Sequence, residues 1–225
     1  MNNLLIGLLM LSNVVFADCN GMKRWVQNLA VDSQVVEITH WEGLAIDLRY
    51  AQDQNIVHRD LYCQETRAFL HRVAAQKLQA ALDILRKEQP GYKLLIWDAA
   101  RPLFAQQALR DLVRGTPMSA YVTSASKGSL HNYGMAIDLS VLKPDGSRMD
   151  LGTDFDDLSA KAGATVRAED SLVQAGDLGT RQIGNRRVLR SIMRRAGWIQ
   201  LPSEWWHFNA AYSADVHANM TVLGK

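Results

Sequence analysis

The stretch that most constrains this chain runs from Ser129 to Ser140, Ser-Leu-His-Asn-Tyr-Gly-Met-Ala-Ile-Asp-Leu-Ser. It carries an imidazole, His131, and a carboxylate, Asp138, seven residues apart. On one unbroken strand an odd spacing sends two side chains to opposite faces. They converge only if the chain turns between them, and Gly134 accepts the backbone angles that such a turn demands. Asp138 lies inside the apolar run Met135–Val141, so its charge has to face solvent, a partner cation or a metal. A second polar pair, Glu204 and His207, brackets Trp205 and Trp206 far downstream. A fold that unites the two stretches must bring its C-terminal end back to the middle of the chain.

The residue types suit one chemistry. His131, Asp138 and His207 together offer two imidazole nitrogens and a carboxylate oxygen, a donor set that fits zinc. Three protein ligands leave a fourth position for water. The spare carboxylate, Glu204, then has the role of general base. Each pair also has a plain structural reading: a strand-edge ion pair for Asp138, an exposed acid and a core histidine for Glu204 and His207. Arg101 follows an apolar run that ends at Asp98, and two readings stay open for it. It either steadies a developing oxyanion or pairs with Asp98 for structural reasons. His40, His58, His71 and His217 have no spacing that recruits them and read as surface or helix-end residues.

Residues 1–17 read as a signal peptide, because the apolar run Leu4–Leu11 is too short to span a bilayer and Val15-Phe16-Ala17 offers small residues for cleavage. The expectation is a periplasmic or secreted protein with no stable membrane insertion once the leader is removed. Cys19 and Cys63, the two cysteines of the chain, are then expected to form a disulfide. A net charge of +2 gives no electrostatic case for a nucleic-acid partner. The arginines of 181–195 interleave with Leu189, Ile192 and Met193, as on a solvated helix face.

Val35–Tyr50 is expected to hold one or two short strands. From Thr66, the apolar positions Phe69, Leu70, Val73, Leu78, Ala81, Leu82 and Leu85 recur at helical spacing and predict a helix ending before Pro90. Lys93–Trp97 reads as a buried strand, and Pro102 opens a helix to about Val113. Gly115–Gly128 reads as a loop, Met135–Val141 as a strand and Lys143–Gly146 as a turn. A short helix is expected over Phe155–Ala162, a mobile or partly ordered stretch over Gly163–Gly184, and an amphipathic helix over Asn185–Ala196 with Gly197 as its cap. Trp198–Gln200 and Glu204–Phe208 read as strands. With no repeat and no linker, residues 18–225 make one α+β domain.

With these residues laid out, the chain resembles the zinc D-alanyl-D-alanine dipeptidases of the metallo D,D-peptidase family. The resemblance rests on Leu48-Arg49-Tyr50-Ala51, Trp97-Asp98-Ala99-Ala100-Arg101-Pro102, Ser126–His131 with Gly134–Leu139, Gly152–Asp156, Asn185–Met193 and Glu204-Trp205-Trp206-His207, in the family's order. It implies a small, mostly antiparallel sheet with flanking helices and the metal site on the sheet, in the hedgehog-like manner. It implies one Zn2+ per chain on His131, Asp138 and His207, with Glu204 as base and Arg101 steadying the transition state. It also implies Ser129, Asp156 and Tyr50 near a small dipeptide substrate, with Asp156 meeting the free amino group. A D,D-carboxypeptidase trimming peptidoglycan stems is the alternative within the same chemistry, and a zinc-stabilised binding module the alternative outside it. The sequence leaves the oligomeric state open.

Overall fold

Five strands form the sheet that carries the site. Their order is β2 (Leu44–Ile46), β4 (Lys93–Asp98), β5 (Ala136–Leu142), β7 (His207–Asn209) and β6 (Ile199–Gln200). β2 and β4 run parallel, and the other pairings are antiparallel. A separate ribbon pairs β1 (Val35–Glu37) with β3 (Phe69–His71). The computed structural model describes residues 18–116, 119, 123 and 126–225. The expected leader and part of the 115–128 loop lie outside the described residues.

β4 and β5 are the centre of the sheet, and their apolar side chains are buried on both faces. Leu94, Ile96, Ala136, Ile137 and Leu139 have no exposed surface. Register then does something specific. Ile96 pairs with Leu139 and Asp98 with Asp138, so Trp97 is an extra residue on β4, a bulge. On the other side of β5, Asp138 pairs with His207. Residues directly opposite on neighbouring strands project to the same face. Asp98, Asp138 and His207 therefore form one row across three strands, at the end of the sheet where β4 stops.

Among the described residues, six α-helices surround the sheets. α1 (Cys19–Val31) buries Met22, Trp25, Val26 and Leu29. α2 (Arg72–Glu88) buries Ala74, Ala75, Leu78, Ala81, Leu82 and Leu85 on one face. It starts later than the periodicity suggests. Phe69 and Leu70 belong to β3, and the His71 ring caps α2 by accepting the N–H of Val73. Two adjacent apolar residues satisfy a strand as well as a helix, and pairing with β1 decides in favour of the strand. α3 (Leu103–Val113) has Pro102 as its cap, one position outside the first turn.

The second half departs further from expectation. The only helical turn in 155–162 is a 3-10 turn at Ala160–Ala162. The 163–184 stretch is ordered: it holds α4 (Val166–Gln174) and the start of α5 (Thr180–Arg195). The fully buried Glu169 of α4 meets Arg190 and Arg187 of α5, which locks the two helices together. The arginine face is thus only partly solvated. Arg186 is 1% exposed and lies over the Trp205 ring. Glu204–Trp206 is a loop, and the strand begins at His207. α6 (Ser213–Asn219) follows β7.

Cys19 and Cys63 are joined in a disulfide that closes 44 residues. In chain-entropy terms such a tie contributes roughly 4 kcal/mol. Among the described residues no helix is long and apolar enough to cross a membrane.

Candidate active site

The turn required between His131 and Asp138 is a 3-10 turn, Leu130–Tyr133, ended by Gly134 in the left-handed region at φ 63°. A Cβ at Gly134 would sit 2.6 Å from the backbone nitrogen of His71, so no other residue fits without displacing β3. Ser129 caps this turn, and its own N–H donates to the Asn132 side chain at 2.8 Å. The turn is stitched to the end of β4. Arg101 N–H donates to the His131 carbonyl at 3.0 Å, and Asn132 Nδ2 donates to the Arg101 carbonyl at 2.7 Å.

These constraints bring His131, Asp138 and His207 into one buried group, with ligand atoms all within 4.8 Å of one another. His131 Nε2 lies 3.2 Å from His207 Nδ1 and 3.3 Å from Asp138 Oδ2; His207 Nδ1 lies 2.9 Å from Asp138 Oδ1. The outer nitrogens explain what the inner ones are. His131 Nδ1 is 2.7 Å from the Ala99 carbonyl, which can only accept, so that nitrogen carries the hydrogen. His207 Nε2 is 2.8 Å from Asn209 Oδ1 and donates likewise. Each neutral ring therefore turns a lone pair inward, towards a carboxylate. With both rings neutral, four acceptor atoms converge, an arrangement that a bound cation satisfies. In a cage holding protons alone, burial opposes a charged His207, but the Asp138 carboxylate overrides it and pushes the pKa up to about 9. Burial likewise opposes the charge on Asp138, and the two imidazoles still hold it well below the usual carboxylate range. The donor set and its backing acceptors fit a metal of the zinc type.

Arg101 occupies the rim. Its Nε donates to Asp98 Oδ2 at 2.8 Å, its Nη1 to Gln106 Oε1 at 2.9 Å, and its Nη2 stands 3.6 Å from Asp138 Oδ2. Its guanidinium also lies 4.8 Å from the centre of the Tyr50 ring. Asp98, with no exposure, takes a further hydrogen bond from Tyr62 at 2.8 Å. The expected pair with Asp98 is present, and it holds the guanidinium towards the cage.

Two carboxylates complete the cavity. Glu204 Oε2 sits 3.9 Å from His207 Nδ1, and burial, aided by Asp138, raises its pKa to about 7. Asp156 accepts the Tyr50 hydroxyl at 3.1 and 3.2 Å and the Ile56 N–H at 3.2 Å. Burial raises its pKa to about 7 as well. All eight residues singled out in the sequence, Tyr50, Arg101, Ser129, His131, Asp138, Asp156, Glu204 and His207, line one cavity of about 210 Å³. That is below the roughly 300–1,000 Å³ of drug-sized ligand sites.

A family model described as D-ala-D-ala dipeptidase, peptidase M15, matches residues 33–222. The chain belongs to the D-ala-D-ala dipeptidase family. It is accordingly a peptidase of the hydrolase class. The D-alanyl-D-alanine dipeptidase of Escherichia coli K12 is 33% identical over 171 residues, spanning 76% of this chain and 81% of that protein. The dipeptidase of the same name from Enterococcus faecium is 30% identical over 189 residues, spanning 76% and 87%. One from Synechocystis is 24% identical over 164 residues, spanning 60% and 66%.

This dipeptidase-family site also uses residues that pattern reading passes over. Asn209 backs His207 from two positions along the same strand, a spacing that places both on one face and was there to be read. The Ala99 carbonyl, Gln106 and Tyr62 left no such trace, because they reach the site through a carbonyl, a helix and a loop. His217, expected on the surface or at a helix end, donates its Nε2–H to the Gly128 carbonyl at 3.1 Å, with its Nδ1 3.3 Å from Ser213 Oγ.

Proposed function

We propose that this chain is a zinc dipeptidase that hydrolyses D-alanyl-D-alanine to D-alanine. The observation that carries the reading is the cage: three buried ligand residues with their ligand atoms within 4.8 Å of one another, beside a carboxylate, Glu204, 3.9 Å from His207 Nδ1. Support for the substrate comes from the relatives' names and from a small cavity lined by a further carboxylate, Asp156.

His131 Nε2, Asp138 and His207 Nδ1 would hold one Zn2+ per chain. Zinc in that position supplies a Lewis acid and brings the pKa of a bound water towards neutrality. Glu204 takes the proton of the attacking water and delivers it to the departing amine. Arg101, oriented by Asp98 and Gln106, places its charge where the carbonyl oxygen becomes negative. Asp156 and Tyr50 receive the free ammonium, and Ser129 lines the cavity next to His131. A carboxylate placed to pair with a free ammonium favours the free dipeptide over an N-capped peptide. The disulfide and the apolar leader together support export to an oxidising compartment, periplasmic or extracellular.

The experiment is release of D-alanine by the zinc-loaded protein from D-Ala-D-Ala and from an N-acylated tripeptide ending in D-Ala-D-Ala. Cleavage of the free dipeptide with little cleavage of the capped peptide is expected. Preference for the capped peptide would make the chain a D,D-carboxypeptidase, and no release from either would leave a metal-binding module.

A further inference from the structure

The cavity wall beside Asp156 comes from residues 52–65, which contain neither helix nor strand. One buried side chain organises that segment. Asn55 is 6% exposed. Its Nδ2 reaches the carbonyls of Gln52 at 2.7 Å, Arg59 at 2.8 Å and Arg49 at 2.9 Å, and its Oδ1 accepts the Val57 N–H at 2.9 Å. Both arms of the loop are thereby gathered round a single amide. The peptide between Asn55 and Val57 has one orientation left, and in it the Ile56 N–H points at Asp156 Oδ2. Ile56 lines the catalytic cavity; Asn55 does not, and borders the outer side of the same loop. The far arm is held by the Leu61 and Tyr62 N–H groups on the Tyr50 carbonyl and by the disulfide from Cys63 to α1.

Asp156 has φ 58°, a left-handed angle that a non-glycine residue keeps only where its surroundings over-determine it. The surroundings here are Tyr50 and the Ile56 peptide. We infer that Asn55 is a positioning residue for the amine end of the cavity: it fixes the Ile56 peptide, which in turn presents Asp156 as a carboxylate to the substrate's free ammonium. The inference rests on the dipeptidase reading above. A contact made equally with bound substrate and transition state sets KM and leaves kcat alone.

Asn55→Ala, with the disulfide intact, tests it. KM for D-Ala-D-Ala is expected to rise about tenfold, the scale of one charge-assisted hydrogen bond, with kcat changed by less than about twofold and zinc content unchanged. The charged and titratable groups facing Asp156 are Tyr50, Arg101 and Asp138, and the substitution touches none of them. Weakening the Ile56 hydrogen bond removes an interaction that favours the ionised form, so the Asp156 pKa rises. The acid limb of kcat/KM should move to higher pH while that of kcat stays, a split that a general loss of stability does not produce. The double variant Cys19→Ser, Cys63→Ser, with Asn55 kept, should move KM in the same direction by a smaller factor, and it decides the matter if Asn55→Ala does not fold. Unchanged KM in a folded variant overturns the inference, as does a fall in kcat together with zinc content at constant KM. If the wild type hydrolyses no dipeptide, the dipeptidase reading fails on its own. Carbon NMR titration of the Asp156 carboxyl in wild type and Asn55→Ala then still tests the positioning role, which an unshifted pKa overturns.

Discussion

The two ends of the cavity are built differently. At the metal end, Asp138 and His207 stand opposite each other on neighbouring central strands, and His131 is locked by a turn that only glycine can close. Every inward atom has a backing partner: the Ala99 carbonyl, Asn209 and, through Arg101, Asp98. At the side proposed to take the substrate's amine, Asp156 and Ile56 sit on irregular segments held by one asparagine, one tyrosine hydroxyl and a disulfide. A sheet fixes positions to within the tolerance that chemistry needs, whereas loops can change which molecule is accepted without disturbing it. The comparison predicts that damage at the first end removes catalysis and damage at the second removes recognition.

The largest effect should come from the cage. Asp138→Ala or His207→Ala should abolish both zinc binding and turnover, and a chelator should do the same to the wild type, with activity returning on adding zinc. Retained stoichiometric metal in either variant would break the comparison at its strongest point. Arg101→Ala should lower kcat by about 10²–10³ at unchanged metal content, the usual cost of removing one oxyanion donor. Asn209→Ala should weaken zinc affinity by about 10–100-fold, because the His207 ring loses the acceptor that fixes its tautomer. Metal titration against a competing chelator reads this directly.

The smallest effect is in the pH profile, and it separates the two ends most finely. Both Glu204 and Asp156 are pushed up to about 7 by burial. Each must be ionised to act, so activity is lost as pH falls through the pKa of either. A dication beside Glu204 favours its ionised form and draws its pKa down, while Asp156, hydrogen-bonded to Tyr50 and Ile56, is drawn down less until substrate arrives. The acid limb of kcat/KM should therefore lie near pH 7 and that of kcat below it. Coincident limbs would show that one group controls both.

The sequence and the structure meet most closely in the centre of the sheet. The odd spacing of His131 and Asp138 demands a turn at Gly134, and the turn is there. What composition and periodicity leave hidden is contact between distant segments. Phe69 and Leu70 fit a helix or a strand until β1 pairs with them. The 163–184 stretch looks mobile until Glu169 is seen buried against Arg190. Glu204 reads as part of a strand, yet the loop before His207 is what carries it to the cavity. The bulge at Trp97, which sets Asp98 opposite Asp138, has no local signature, because an apolar run looks the same with or without one.

The most direct test of the central claim is made on Glu204→Ala, measuring zinc content and D-Ala-D-Ala turnover on the same preparation. One zinc per chain with turnover reduced by about 10²–10⁴ is the predicted result, since a lone base contributes on that scale. Undiminished turnover in a variant that keeps its zinc would contradict the account.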